Sequence, residues 1–134
     1  MNKYAISAFS NIIVASPYIL SRDNASGVAK ATVKAAISGV ITRGIIGEEC
    51  DGILSAMHEM GKFSGCIGAA FLGIAAAVSA DNSASVLGGA AVGAAVGAVV
   101  GYAVGAGLGL EFAVVDNGIM QPLLGGDNAP FIWE

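Results

Sequence analysis

The chain of 134 residues is 55% hydrophobic and only 12% charged, about half the charged fraction of an ordinary water-soluble domain, which favours a lipid environment. All six basic residues lie in the first 62 positions, and the second half of the chain carries acidic charge only. Together with the net charge of -4, this distribution opposes phosphate contacts and argues against a nucleic-acid-binding protein.

Residues 1–27 are expected to form an amphipathic or irregular N-terminal segment that is not cleaved. Pro17 interrupts the apolar run, and no small-residue cleavage site follows an unbroken apolar stretch, as a signal peptide requires.

Residues 28–116 are predicted to form a transmembrane helical domain. Small or apolar residues recur every three to four positions over 31–46, which indicates a helix. Lys30, Lys34 and Arg43 make this helix only a weak candidate span, although long basic side chains near helix ends can reach the headgroups. The mixed acidic stretch 48–62 is expected to be a loop or a surface helix.

The next two apolar segments are stronger candidates for membrane spans. Residues 63–80 contain no charge over 18 positions, about the length that crosses a hydrocarbon core. Asp81 lies in a polar break and is expected to cap the following helix. Residues 82–110 are uncharged and, as one helix, would measure about 43 Å against a core of about 30 Å. Two alternatives follow: one tilted or protruding helix, giving three spans, or a turn within 101–107, giving four.

Residues 117–134 are predicted to be an irregular C-terminal tail. Glu111, Asp116 and a turn at Asn117–Gly118 are expected to mark the exit from lipid, and glycines and prolines follow. Glu111 at a helix end is expected to reach the headgroups rather than to carry a proton or cation. The final Phe131, Ile132 and Trp133 are expected to anchor at an interface or on a partner.

The strongest pattern is an unbroken series of glycines four residues apart, from Gly89 to Gly109. Helices in lipid associate by van der Waals contact and hydrogen bonds, and glycines on one face let two backbones approach closely. The fold class predicted is therefore an all-α, integral membrane bundle of three to four Gly/Ala-rich transmembrane helices. The predicted helix-packing residues are Gly61, Gly65, Gly73, Gly88, Gly89, Gly93, Gly97, Gly101, Gly105 and Gly109, with Ala69 beside them and Ala31, Ala35 and Gly39 in the first helix.

The sequence DNSASVLGGAAVG, which starts at Asp81, resembles the second half of the signature of the preprotein and amino acid transporter superfamily. Gly68 and Phe71 resemble the start of that signature. The superfamily includes mitochondrial Tim translocase channel subunits, a plastid outer-envelope amino acid channel and a four-helix accessory subunit of respiratory complex I. The resemblance implies a four-helix protein of the mitochondrial inner membrane. Ala77 stands where the family has an arginine, and this departure leans towards the structural subunit.

No catalytic, cofactor or metal site is predicted, and the chain is not expected to be an enzyme. The single histidine, His58, lies in HEMGK, which lacks the second histidine of a zinc helix, and is expected to be a solvated loop residue. Cys50 and Cys66 leave two alternatives open, a disulfide or two small buried thiols.

Three functional hypotheses follow. The first is a non-catalytic structural subunit of a larger membrane complex. The second is a channel or translocase component in which Lys34, Ser38 and Thr42 line an aqueous path. The third is a membrane-active pore-forming or phage ejection protein that self-assembles through its glycines. The expected partners are membrane lipids and other transmembrane helices, in a hetero-oligomer or a homo-oligomer.

Overall fold

A computed structural model describes residues 2–125. These residues form five α-helices, α1 (Lys3–Val14), α2 (Ser16–Leu20), α3 (Ala25–Ile46), α4 (Ile53–Val78) and α5 (Ser83–Val115), and a C-terminal π-helix (Asp116–Gly125). No strand occurs between residues 2 and 125, so the all-helical prediction is confirmed for this part of the chain.

Polar side chains and one glycine set the helix ends. Asn2 accepts a hydrogen bond from the Tyr4 N–H, and Asn24 accepts one from the Gly27 N–H. Each satisfies an otherwise free backbone donor in the first turn. Gly47 ends α3 with a φ of 93°, a conformation that favours glycine. At α5 the capping side chain is Asn82, which accepts from the Ser85 N–H, so the predicted cap at Asp81 is off by one residue.

The chain divides into two compact units. Among the described residues, one unit, called here the terminal unit, comprises residues 2–56 and 109–125, and the other, called the hairpin unit, comprises residues 57–108. In the terminal unit α1 and α2 pack against α3, where Ile19 meets Ala31 and Ala35. In the hairpin unit the residues of α4 and α5 run beside each other.

Two helical segments are long and apolar enough to cross a membrane, Ile53–Val78 and Ser83–Leu124. Only 11% and 6% of their most apolar stretches are buried, whereas the core helix of a water-soluble protein would be mostly buried. α5 runs without a break through 101–107, the place where one of the two alternatives put a turn. The weakly apolar α3 is not among these candidate spans within the described residues.

The predicted irregular tail is wrong for residues 117–125, which continue the chain as a π-helix. The turn at Asn117–Gly118 is absent because the amide of Asn117 is buried in a hydrogen-bonded cluster instead. Pro130, Phe131, Ile132 and Trp133 lie outside the described residues.

Candidate functional site: a buried ion pair and a glycine-lined helix contact

The terminal unit contains an ion pair that is completely removed from solvent. Arg43 lies in the last turn of α3 and Asp116 is the first residue of the π-helix, and both are 0% exposed. One guanidinium nitrogen, Nη2, lies 2.5 Å from Oδ2 of the carboxylate. Since an isolated buried charge is very costly, each group requires the other.

Every N–H of Arg43 has an acceptor. Nε donates to Ser7 Oγ at 3.0 Å, and Nη1 donates to the carbonyls of Gly47 and Cys50 at 3.1 and 2.8 Å. Nη2 donates to Asn117 Oδ1 at 2.6 Å as well as to the carboxylate. The five donors of a guanidinium are therefore all used, and the side chain joins α1, the end of α3 and the π-helix.

Asp116 is held by three further donors. The hydroxyls of Ser7 and Ser10 on α1 donate to its two carboxylate oxygens, each at 2.7 Å. Gln121 Nε2 donates to Oδ1 at 3.1 Å. Hydrogen bonds to an ionised group are the strong ones, so the carboxylate fixes α1 to the π-helix.

The wide helical turn explains how the polar residues meet. A π-helix closes its hydrogen bonds between residues five apart, so Asp116 and Gln121 lie on nearly the same side of it. Asn117 adds a bond from Nδ2 to the Gly52 carbonyl at 2.9 Å. Among the described side chains, Gln121 Oε1 is the one buried polar atom without a partner. Almost every buried polar atom of the cluster therefore has a hydrogen-bond partner, as expected of a structural contact that joins segments of the chain.

The second feature is the contact between α4 and α5 in the hairpin unit. A Cβ atom at Gly93, Gly97, Gly101 or Gly105 would overlap a backbone carbonyl oxygen of α4. The carbonyls concerned belong, in the same order, to Leu72, Gly68, Ser64 and Met60. At these positions only glycine permits the distance that the two backbones adopt.

Other predicted packing residues behave less uniformly. Gly61 lies beneath the ring of Tyr102, and Gly65 and Gly73 approach the backbone of α5 at Ala98 and Ala90. Gly68, predicted only as part of a signature, is one of the closest contacts of the hairpin.

The remaining predicted glycines do not bring the backbones of α4 and α5 into close contact. Gly89 makes ordinary van der Waals contact with Ala76, and a side chain at Gly88 would meet nothing within 4 Å, so the packing role predicted for Gly88 is not seen. Gly109 belongs to the terminal unit and is buried there.

The small residues of α3 pack against α1. A Cβ atom at Gly39 would overlap the Ser7 carbonyl oxygen, Ala31 and Ala35 are buried, and Asn11 Nδ2 donates to the Ala35 carbonyl at 2.7 Å. The surface that the sequence offered to another membrane helix is therefore occupied by the N-terminal helix.

Several single residues that the sequence marked lie apart from these features. His58 lies on α4 and not in a loop, and its Nδ1 is 2.8 Å from the Tyr102 hydroxyl. Asp81 and Glu111 are exposed, as is the signature residue Phe71. Both cysteines are free, Cys50 half-buried and Cys66 exposed, so neither the disulfide nor a pair of buried thiols is seen.

Sequence reasoning missed the buried cluster. The sequence places Arg43 and Asp116 at helix ends near the headgroups, and no sequence pattern marks Ser7, Ser10 or Gln121 as their partners. One signal was available, since Ser7 and Ser10 stand three residues apart in an apolar helix and therefore share a face.

Comparison of the chain with protein-family models, with curated proteins and with solved structures finds no match.

Proposed function

We propose that the chain is a non-catalytic, membrane-embedded structural subunit of a larger complex. The hairpin of α4 and α5 crosses the bilayer, and its outer faces bind neighbouring helices. The buried cluster holds α1, α3 and the π-helix together and has a structural rather than a catalytic role.

The observation that carries the proposal is the exposed outer stripe of α4. Phe71, Ile74 and Val78 are 73%, 64% and 80% exposed, and their spacing of three and four residues places them on one helix face. A contiguous exposed apolar surface marks a membrane or protein contact. Because glycines already join α4 to α5, this stripe is left for lipid or for another subunit.

The length of the hairpin supports a membrane location. The steps of 20 residues from His58 to Val78 and of 19 residues from Ser83 to Tyr102 correspond to about 30 Å and about 29 Å of helix, close to the thickness of a hydrocarbon core. The polar pair of His58 and Tyr102 therefore lies one core thickness from the turn that joins the two helices. Tyrosine is enriched at headgroup depth, which agrees with this placement.

The arrangement favours a structural role over an aqueous channel. Lys34 and Ser38 are exposed on α3, whereas Thr42 is buried and donates to the Ser38 carbonyl at 2.8 Å. The three side chains therefore do not share one surface, and a polar path needs a shared one.

The resemblance at Gly68, Phe71 and Asp81 supplies a more specific form of the proposal. In that form the chain is an accessory subunit of an assembly like respiratory complex I, in the mitochondrial inner membrane. This form rests on the resemblance alone.

The test is the state of the full chain in its own membranes. We expect the tagged chain to resist alkaline carbonate extraction and, in mild detergent, to migrate on a native gel with a constant set of proteins identified by mass spectrometry. A Phe71→Ala/Ile74→Ala variant should stay in the membrane and lose its co-migrating proteins. The matched control Leu20→Ala, which trims an exposed leucine of α2, should keep them. Extraction by carbonate, or migration of the wild type as a lone chain, would contradict the proposal.

A further inference from the structure

We propose that α3 carries a binding site for an anionic phospholipid. The lipid phosphate contacts Lys30 and Lys34, and its acyl chains lie along Ile37 and Ile41. This inference rests on the membrane location in the proposed function and names the lipid class that the terminal unit recognises.

The four residues form one stripe on α3. Positions 30, 34, 37 and 41 are separated by four, three and four residues, which places them above one another on a helix. Both lysines are exposed, and Ile37 and Ile41 are more than half exposed. The exposed Val33 flanks the stripe. One helix face is therefore basic in its first half and apolar in its second.

Packing inside the terminal unit leaves this face uncovered. The opposite side of α3, at Ala31, Ala35 and Gly39, is pressed against α1 and α2. The stripe thus faces away from the helices that hold α3 in place and is open to an external ligand.

No carboxylate within residues 2–125 forms an ion pair with either lysine. Between residues 2 and 125, ion pairs join Lys3 to Asp51, Arg43 to Asp116 and Lys62 to Glu59, and none involves Lys30 or Lys34. Arg22 and Asp23, just before α3, carry opposite charges that offset each other. A ligand for this face needs negative charge opposite the lysines.

The apolar half of the stripe decides between anionic ligands. From Lys34 to Ile41 the helix rises about 10 Å, so the basic and apolar halves of the stripe follow each other along the helix axis. A free phosphate or nucleotide would leave Ile37 and Ile41 exposed to water. A phospholipid satisfies both halves, since its phosphate and its acyl chains follow one another along the same axis.

The test uses the full chain, purified in mild detergent and titrated with phosphatidylglycerol or phosphatidylcholine, with bound lipids counted by native mass spectrometry. We expect the wild type to prefer phosphatidylglycerol. Lys30→Gln/Lys34→Gln should weaken that preference by about fivefold for each lysine removed, the attraction of one basic side chain to an anionic surface. Lys30→Arg/Lys34→Arg should retain it. The control Lys62→Gln removes a lysine that is already paired with Glu59 and should bind as the wild type does.

Each other result has a defined meaning. Equal binding of the two lipids, or an unchanged preference in Lys30→Gln/Lys34→Gln, overturns the lipid site. If inorganic phosphate alone competes the lipid off at low millimolar concentration, the site recognises phosphate and not a phospholipid, and the inference is wrong. Resistance to carbonate extraction reports separately on the membrane location, so a chain that stays in the membrane without a lipid preference disproves this inference alone.

Discussion

Replacing Arg43 by methionine tests whether the buried ion pair holds the terminal unit together. Methionine keeps much of the volume of the arginine stem and removes the charge and all five donors. Asp116 would remain 0% exposed with only the hydroxyls of Ser7 and Ser10 and the amide of Gln121 to stabilise its charge. The acceptors on Gly47, Cys50 and Asn117 would also lose their donor.

The expected cost is large relative to the stability of the protein. Removing one partner of a buried ion pair lowers the free energy of unfolding by about 3–5 kcal/mol, out of a typical total of about 5–15 kcal/mol. The three remaining donors to the carboxylate place the expected value for Arg43→Met near the lower end, at about 3 kcal/mol.

A double substitution distinguishes the energetic contribution of the ion pair from that of the hydrogen bonds around it. Arg43→Met/Asp116→Leu removes both charges, and replacing a buried pair by apolar residues is often close to neutral. Here the hydroxyls of Ser7 and Ser10 and the amide of Asn117 lose partners and still need hydrogen bonds. We therefore expect about half of the loss to return, so that the double variant costs about 1.5 kcal/mol. Since Asp116→Leu alone should also cost about 3 kcal/mol, the two single losses should be far from additive.

The assay is unfolding of the full chain in mild detergent by added sodium dodecyl sulfate, followed by circular dichroism. Arg22→Met is the matched control, because Arg22 is exposed and stacks on Tyr18 at 4.4 Å, an interaction of about 0.5–1 kcal/mol. Two results would refute a stabilising role for the cluster. One is a decrease of less than about 1 kcal/mol in the free energy of unfolding for Arg43→Met, and the other is strict additivity of the energies of the two single substitutions.

Three further substitutions probe the helix contacts by the same unfolding assay. Gly97→Leu forces a side chain into the backbone of α4 and should lower the free energy of unfolding by about 1–3 kcal/mol or more. Its control is Gly88→Leu, which points into open space and should change that free energy little. Equal losses of stability in the two variants would contradict the glycine contact. Gly39→Ala should destabilise the protein by about 1–3 kcal/mol because its methyl group meets the Ser7 carbonyl. Gly44→Ala, whose methyl group would have nothing within 4 Å, should stabilise the protein by about 0.5–1 kcal/mol. A stabilising effect of Gly39→Ala would disprove the packing of α1 on α3. Tyr102→Phe removes the hydroxyl that pairs with His58 and should cost about 0.5–1.5 kcal/mol, and no change would show that the pair adds nothing.

The helical character of the chain could be predicted because periodicity is local. Small residues every three or four positions indicate a helix wherever they occur, and long uncharged runs define the two longest helices. The faces of the glycines follow from the same spacing, since Gly93 and Gly97 stand one turn apart and must share a face.

The buried cluster could not be predicted because its members are far apart in sequence. Arg43 and Asp116 are separated by 73 residues, and each looks alone like an ordinary charge near a helix end. The π-helix was missed for a related reason: Pro122 and the glycines after Asn117 favour an irregular chain locally. The tertiary hydrogen bonds that Asn117 donates to the Gly52 carbonyl and Gln121 donates to the Lys3 carbonyl outweigh that preference.

The two units are held together internally by different kinds of contact, and the contact of the hairpin unit is repetitive. The close contacts of α5 repeat every four residues, as do their partners on α4. The short connection 79–82 fixes which turns of the two helices face each other, and the glycines then let the backbones approach closely.

In the terminal unit, one specific contact has the corresponding role. Arg43 on α3 and Asp116 on the π-helix are 73 residues apart, so no short connection determines how these two elements meet. Parting the two buried charges would cost several kcal/mol, and the ion pair therefore favours one arrangement of α3 and the π-helix.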